Sequence, residues 1–511
     1  MTRQKSLFTL GLTVLVMTWG ATTETEAGLA SHRSLGAFTQ ASDVGTVRQK
    51  GAATFDKKTG VYRIVGNGDD LWAGKDDFHF VHRKAWGDTS IAATVSFVAG
   101  STDPHSKAGV MIRQDLSPDS PYADIVVHQN GHVALQYREV RGGDTYEIEA
   151  LQKGEGRFQL ERQGDYVFMS VADADGRLHH AGGGFHLALD GVYYIGLAVC
   201  SHSDTQTKTV DFSGVQISKP KALPAITAAT PVESTLETVD VRSGYRAVVY
   251  HTVDHIEAPN WTTDGKTFIF NSNGHIFTLP ATGGVPSQLD TGDLSHINND
   301  HGPSADGKWL AISDQTRGGD NQSRVYVVSM SGGEPRQVTA AGPSYWHGWS
   351  PDGKTLAVIA NRNGDFDVYA VPIEGGSEAR LTTTAGLDDG SEYSPDGQWI
   401  YFNSVRTGNM KIWRMHPDGS MQTQVTFGDD SRDWFPHISP DGKWIAYISF
   451  GTDVVPGDHP ANKFVSLKVM PITGGIARDV AKLFGGQGTM NVPSWSPDST
   501  HLAFVSYRPM P

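Results

Sequence analysis

The sequence predicts an all-β protein, and three observations lead to this prediction. The 511 residues include 58 Gly, 21 Phe, 16 Tyr and 12 Trp, a composition typical of many short strands joined by tight turns. A four-residue turn motif recurs in the second half, with 42, 46, 44, 45 and 57 residues between successive aspartates. Apolar or alternating runs of strand length follow the copies of this motif. The first half carries similar runs without the repeat.

The charge balance excludes two classes of partner. The chain has 42 Lys and Arg against 56 Asp and Glu, so its net charge is −14. It has no block of five or more basic residues, and we therefore expect neither nucleic-acid nor anionic-membrane binding. A single cysteine, Cys200, can form neither an internal disulfide nor a Cys-based zinc site. We expect it to be a buried thiol.

The first 30 residues have the pattern of a secretory signal peptide. Arg3 and Lys5 precede an apolar run of 11 residues, Leu7 to Met17, and small residues follow. The alternative is a membrane anchor, but the run is shorter than the roughly 20 residues that a spanning helix needs. The sequence therefore predicts an exported protein, periplasmic or extracellular, without a membrane span. It leaves the cleavage site open.

The repeat of the second half predicts a β-propeller. Each unit has the pattern of four strands, with a hairpin at the Asp-Gly pair and a Gly-Gly turn before the last strand. We expect φ > 0 at both residues of the Asp-Gly pair. Four-stranded units of 40–45 residues are propeller blades. The segment from Leu236 to Tyr250 has strand composition and is expected to close the ring, because one strand only follows the last motif. The six aspartates are Asp264, Asp306, Asp352, Asp396, Asp441 and Asp498.

These motifs resemble those of the TolB-like six-bladed β-propeller family. The family's Ser-Pro-Asp-Gly-Lys signature stands at residues 350–354, and its Gly-Gly…Leu-Thr ending at residues 375–382. The resemblance covers about residues 232–509. It implies the fold, and it leaves the function open, because propellers serve binding, scaffolding and several enzyme chemistries.

The first half is predicted to be a separate domain over residues 31–218. Its closing runs, Tyr193 to Val199 and Val210 to Ile217, resemble the ends of concanavalin- or laminin-G-like jelly rolls. A proline-containing linker, residues 219–231, separates it from the propeller at 232–511. The expected architecture is therefore a jelly-roll-like β-sandwich followed by a six-bladed β-propeller, and the role of the sandwich stays open.

Two rings of side chains are predicted at one mouth of the propeller channel. Equal offsets from the repeated aspartate give equal height and radius in successive blades, because the blades are related by rotation. The alternative is that these side chains are structural and tie one blade to the next. Five to seven residues before the aspartates stand Glu257, Asn299, His301, Tyr345, His347, Asp389, Trp434 and Asn491, and ten or eleven residues after them stand Arg317, Arg362 and Arg406.

The residue types in these rings suggest a ligand class. Guanidinium groups pair bidentately with carboxylate or sulfate, and Tyr345 and Trp434 could stack on sugar rings. His301 and His347, with His437 nearby, could hold a divalent metal such as Mn or Ca. The catalytic residues are left unassigned.

Three functions are compatible with these features. The first is an exported, monomeric propeller protein that binds an anionic saccharide or a cell-envelope protein at the channel mouth. The second is a metal-assisted lyase or hydrolase of uronate-containing polysaccharides, which is implied by the resemblance of the blades to those of oligogalacturonate lyases. The third is a protein-interaction scaffold of the TolB type. A serine peptidase is not expected, because no Gly-x-Ser-x-Gly motif is present.

Overall fold

The structure is a computed structural model that describes residues 35–223 and 225–510, and every regular element in these ranges is a β-strand. The predicted signal peptide lies outside the described residues. Within them, no helix has the length and apolar character that crossing a membrane would require.

The first sixteen strands form the N-terminal half of the chain. They are β1 Gln40–Val44, β2 Ala52–Asp56, β3 Val61–Gly68, β4 Leu71–Trp72, β5 Lys75–Asp76, β6 Phe78–Trp86, β7 Thr89–Gly100, β8 Lys107–Arg113, β9 Tyr122–His128, β10 Val133–Arg138, β11 Tyr146–Glu149, β12 Arg157–Gln163, β13 Tyr166–Ala172, β14 Leu178–His186, β15 Val192–Cys200 and β16 Ser203–Ser218.

The remaining strands follow from residue 232 onwards. They are β17 Val232–Asp240, β18 Arg246–Thr252, β19 Ile256–Trp261, β20 Thr267–Ser272, β21 His275–Pro280, β22 Ser287–Gln288, β23 Ile297–Pro303, β24 Trp309–Asp314, β25 Arg324–Ser329, β26 Arg336–Gln337, β27 Ser344–Trp349, β28 Thr355–Asn361, β29 Phe366–Pro372, β30 Ala379–Arg380, β31 Asp388–Tyr393, β32 Ile400–Ser404, β33 Lys411–Met415, β34 Thr423–Gln424, β35 Arg432–Ile438, β36 Trp444–Phe450, β37 Ala461–Pro471, β38 Arg478–Gly486 and β39 His501–Pro509.

Two sheets pack face to face in the N-terminal half. One has the strand order β14-β13-β12-β7-β16-β3-β2, and the other contains β1-β6-β15-β8-β9-β10-β11. Side chains alternate between the two faces of a strand, so each sheet presents one apolar face to the other. Ile91 and Phe158 of the first sheet share a buried cluster with Val110 and Ile195 of the second. This half is therefore a β-sandwich, and Cys200 is buried within it.

Five antiparallel sheets of four strands form the repeating blades. They are β19–β22, β23–β26, β27–β30, β31–β34 and β35–β38, each in sequence order. The motif joins the first two strands of a blade. In the third blade the Ser350 hydroxyl donates to Asp352 (2.7 Å) and accepts from the Thr355 amide (2.9 Å). These bonds hold the turn without any partner from another blade.

The turn differs from its prediction in one respect. Gly353 has φ of 69°, but Asp352 is not among the residues with positive φ. Its carboxylate instead accepts a hydrogen bond from the Lys354 amide two residues on (3.1 Å), the bond of an Asx turn. Only the glycine therefore needs the left-handed conformation.

The expected sixth blade does not form a separate four-stranded sheet among the described residues. β17 pairs with β39 over nine residue pairs, from Val232–Pro509 to Asp240–His501, and β18 pairs with β17. β18 then pairs in parallel with β11 of the sandwich. The count of six blades is therefore not confirmed: the predicted closing segment does pair with β39, but its strands continue into a ten-stranded sheet instead of ending at a fourth strand.

Further contacts join the two halves. Arg508 pairs with Glu161 at 2.8 Å, and Lys482 pairs with Glu139 at the same distance. Val248 of β18 belongs to the apolar core of the sandwich. The described residues, 35–223 and 225–510, therefore belong to one compact unit.

Candidate functional site

A cavity of about 730 Å³ lies among the blades, and the first strand of each of the five blades contributes to its wall. Neighbouring first strands contact one another in order around the array. The lining residues are Glu257, Asn298, Asn299, Asp300, Gln315, Tyr345, His347, Ile359, Phe366, Leu387, Asp389, Phe435, Gly457, His459, Gln487 and Asn491.

Six of the predicted residues line this cavity. Five of them stand seven residues before a motif aspartate, so this repeated position reaches the cavity in five units of the array. His347, two residues further on, is the sixth. The six are Glu257, Asn299, Tyr345, His347, Asp389 and Asn491.

A β-bulge in the first strand of each of the five blades positions these side chains. In the fourth blade, for example, the pairing shifts between Asp389 and Glu392, and Gly390 there has φ of 61°. A bulge bends the strand and re-aims its side chains. In the fifth blade the non-glycine residue Phe435 has φ of 52°. It lines the cavity in place of the preceding Trp434.

Trp434 is therefore placed differently from its prediction. Its side chain is buried behind the cavity wall, with ring centroids 4.4 Å from His459 and 5.6 Å from Phe435. It supports two residues that do line the cavity and presents no face for stacking on a ligand.

The three predicted metal ligands are not brought together at the cavity. His301 is fully buried, and its Nδ1 lies 2.8 Å from Oδ1 of Asn260 in the neighbouring blade. Burial lowers its pKa to about 3. His437 contacts Glu392 of the adjacent blade at 2.7 Å. Both therefore tie neighbouring blades together. Over the described ranges, no group of three or more His, Cys, Asp and Glu side chains is arranged to hold a metal ion.

The three predicted arginines are not among the described residues that line the cavity. Each guanidinium group instead pairs with one or two carboxylates that lie 16 to 24 residues away in the chain. Arg362 pairs with Glu378 at 2.8 Å and Arg406 with Asp388 at 2.8 Å, while Arg317 pairs with Asp293 and Glu334. Equal spacing identified their loops, but the local carboxylates decide where the side chains point.

The centre of the wall is a chain of ionisable groups, Asp300, His347 and Asp389. His347 Nε2 lies 3.2 Å from Asp389 and 3.9 Å from Asp300. The second oxygen of Asp300 accepts a hydrogen bond from the side-chain amide of Asn298 at 2.8 Å. All three groups are almost wholly withdrawn from solvent. Their charges therefore interact more strongly than they would in water.

The pKa values of these groups follow from their surroundings. Burial raises the pKa of Asp300 to about 6, and the charge of Asp389 adds to that effect while His347 opposes it. Burial alone would lower the pKa of His347, but its hydrogen bond to Asp389 and the carboxylates around it raise that pKa overall. Burial would raise the pKa of Asp389, but the contact with His347 lowers it. The neighbouring carboxylates therefore favour the protonated form of His347, and His347 favours the ionised form of Asp389.

Comparisons with known proteins agree with this architecture. The family PD40, described as "TolB beta propeller domain", matches residues 347–456. An uncharacterized protein of Agrobacterium fabrum is 45% identical over 282 residues, which is 55% of this chain and 94% of the relative. The chain belongs to the TolB-like β-propeller family. A solved structure of a candidate TolB from Agrobacterium tumefaciens is also 45% identical, with a TM-score of 0.52, over 55% of this chain and 99% of that one. The structure of TolB from Acinetobacter baumannii is 15% identical, with a TM-score of 0.37. The match covers 64% of this chain and 80% of that one.

Sequence reasoning missed several residues of this site. Asp300 stands next to two predicted residues, but its offset in the other blades carries mostly apolar or small residues, so the repeat did not select it. Gly457 and His459 belong to the insertion that lengthens the last interval to 57 residues. His459 bonds to Gln487 and approaches Asp389 at 4.0 Å. The unusual interval was the available signal that a loop reaches the cavity.

Proposed function

We propose that this chain is an exported TolB-like propeller protein whose cavity receives a positively charged group of a cell-envelope partner. The observation that supports the proposal is the charge of the cavity wall. Glu257, Asp300 and Asp389 line it, and none of the lining residues of the described chain is a lysine or an arginine.

The sign of the ligand charge follows from this wall. An anionic saccharide, which the sequence suggested, would meet three carboxylates, while the arginines expected to bind it are engaged elsewhere. A guanidinium or ammonium group would meet opposite charge from the largely buried carboxylates of Asp300 and Asp389. Charge-assisted hydrogen bonds are about twice as strong as neutral ones.

The rest of the wall suits a side chain of a protein partner. Tyr345, Phe366 and Phe435 offer aromatic surface, on which a guanidinium plane can stack. Amide side chains surround the carboxylates and can bond to a partner's backbone. A cavity of about 730 Å³ is within the usual range for ligand sites.

Binding of matched short peptides tests this proposal. Four peptides would differ at one central position, which carries arginine, lysine, citrulline or glutamate, and calorimetry would measure their affinities. We expect the arginine and lysine peptides to bind at least about tenfold more tightly than the uncharged citrulline peptide. Asp389→Asn should abolish that preference, while Asp293→Asn, which changes a carboxylate outside the cavity, should leave it intact. Equal binding of the arginine and citrulline peptides would contradict the proposal.

Several finer features of the architecture belong to the same proposal. We infer that β39, β17 and β18 act as the sixth blade, with the bridge between Trp495 and Leu502 marking its inner edge. We also infer a jelly-roll-like sandwich, a periplasmic or extracellular location and a monomeric state. The two halves are proposed to fold separately. Cooperative unfolding of residues 31–218 expressed alone would support this, and its absence in a soluble fragment would refute it.

A second candidate is hydrolysis of a polysaccharide. It is favoured by Asp300, whose pKa of about 6 beside His347 is near the value that suits a general acid or base. The metal-assisted form of this chemistry, with Mn or Ca, lacks a ligand set among the residues proposed for it. A screen of uronate-containing glycans with and without added divalent metal would test both forms, and Asp300→Asn should remove any activity found.

A further inference from the structure

A second cavity, of about 510 Å³, lies in the N-terminal sandwich and shares no lining residue with the first. Its floor is the face of the ten-stranded sheet that points away from the sandwich core. Trp72 and four histidines stand around this floor. The lining residues are Asp70, Trp72, His105, Lys107, His128, Asn130, His132, Gln136, Glu147 and His202.

Four neighbouring strands supply the floor. Lys107 of β8 stands opposite His128 of β9, and Gln136 of β10 stands opposite Glu147 of β11. Residues next to them along the strands, such as Val127 and Leu135, belong to the apolar core on the other face. The alternation of side chains along a strand therefore places the four polar groups together on one surface.

Two of these floor groups have hydrogen-bonding atoms without a partner. His128 is 6% exposed and its Nε2 makes no hydrogen bond. Gln136 is 1% exposed, and its Oε1 also makes no hydrogen bond. Buried polar atoms are normally paired, because leaving them unpaired costs free energy. Both residues line the cavity, so a ligand there could supply the missing partners.

The charges of the cavity favour an uncharged ligand. Lys107 already pairs with Asp70 at 2.8 Å and donates to the Leu71 carbonyl at 3.2 Å, so it does not present a free cation for an anionic ligand. Glu147 is 3.4 Å from His132. Burial lowers the pKa of His128 to about 2, so its ring is neutral. A neutral imidazole offers one donor and one acceptor.

The remaining surface consists of flat polar and aromatic groups. Gln136, Asn130 and the neutral ring of His128 each present donors and acceptors, and Trp72 adds an indole ring at the edge. Such a wall matches a molecule that carries several hydroxyl groups and one less polar face. Each hydroxyl can donate and accept at once.

We propose that this cavity binds an uncharged polyhydroxylated ligand, a sugar ring or a polyol, through His128, Gln136 and Glu147, with Trp72 against the ligand's carbon face. The proposal does not depend on the function proposed for the propeller. It assigns a second binding site to a half of the chain that has no other assigned role.

Binding of defined neutral sugars to the full chain tests the proposal. Glucose, galactose and mannose would represent the ring, sorbitol the open-chain polyol and glucuronate a charged ring, each titrated to millimolar concentration with binding followed by NMR. We expect at least one neutral probe to bind more tightly than glucuronate. Binding of sorbitol as well as of a sugar would indicate a polyol site, and binding of sugars alone would indicate that the ring itself is recognised.

Two matched substitutions separate this site from the rest of the surface. Trp72→Ala should weaken binding of the neutral probe by about tenfold or more, while Trp86→Ala, at a tryptophan 70% exposed on the same sandwich, should not change it. His132→Ala, at a less buried lining residue, serves if Trp72→Ala fails to fold. Binding of no neutral probe, tighter binding of glucuronate, or equal affinity in the wild type and the variants of the cavity would overturn the proposal.

Discussion

The five regular blades and the sheet that closes the array are held by contacts of different range. In the blades, buried or partly buried pairs join residues close in the chain, such as Arg362 with Glu378, 16 residues apart. In the closing sheet, Ser506 bonds to Glu237 across 269 residues, and Arg508 of this sheet bonds to Glu161 of the sandwich across 347. Strand pairing within a blade joins neighbouring parts of one repeat, whereas strand pairing in the closing sheet joins segments from three distant parts of the chain.

Removal of the closing segment gives the largest expected effect. Deleting residues 232–250 removes β17 and most of β18, which leaves β39 unpaired and exposes apolar faces. We expect the propeller to lose cooperative thermal unfolding, measured by circular dichroism. A truncated protein that kept the full melting temperature would show that the array closes without these strands.

The second largest expected effect is the loss of stability when a buried ion pair of the closing sheet is broken. Arg246 and Glu237 are both fully buried and pair at 2.8 Å in the closing sheet. Glu237→Ala would leave the guanidinium without its partner, and we expect the free energy of unfolding to fall by about 3–5 kcal/mol.

The matched control for this substitution is Asp293→Ala, which breaks the exposed pair with Arg317 in the blades. Solvent screens such pairs, so the loss should be small. Urea denaturation measures both variants. Equal losses would mean that the closing sheet is no more sensitive to a lost partner than the blades are.

The buried Asp300 in the cavity among the blades should make the free energy of unfolding depend on pH. The pKa of Asp300 is raised from 3.8 to about 6 in the folded protein, so the folded state binds the proton more tightly than the unfolded state. The stability that this proton contributes is present below about pH 4 and is lost as pH rises through about 6.

Asp300→Asn removes this titration. We expect the variant to gain stability over the wild type between pH 4 and pH 7, by about 1–3 kcal/mol, since one pKa unit corresponds to about 1.4 kcal/mol. Chemical denaturation at several pH values measures the difference, with Asp293→Asn as a control. A difference that did not change with pH would contradict the assignment of the raised pKa.

The turn of each blade should give the smallest effect. Ser350→Ala removes the bonds of the hydroxyl to Asp352 and from the Thr355 amide, and we expect a loss of about 1 kcal/mol. Ser304 makes the equivalent bonds to Asp306 and from the Trp309 amide. Ser304→Ala should therefore cost the same within error. Clearly unequal losses would show that the turns depend on their surroundings.

The sequence alone was sufficient for features that depend on neighbouring residues. The Ser-Pro-Asp-Gly spacing identified the all-β propeller arrangement, because each copy forms its turn from hydrogen bonds within six residues. The same spacing located the wall position of Glu257, Tyr345 and Asp389, because equivalent positions of neighbouring blades face the same space.

Only the tertiary structure decided where the charges and the last strands go. The arginines stand at regular spacing, but Arg362 pairs with Glu378 and Arg406 with Asp388, so neither lines the cavity. His301 has the same offset as His347, yet it turns to Asn260 between blades. The edge strand β18 pairs with β11 of the sandwich, and no local sequence pattern predicts this pairing. The periodicity of the chain determines which strands form, while contacts between distant segments determine side-chain direction and closure, because those contacts exist only once the chain has folded.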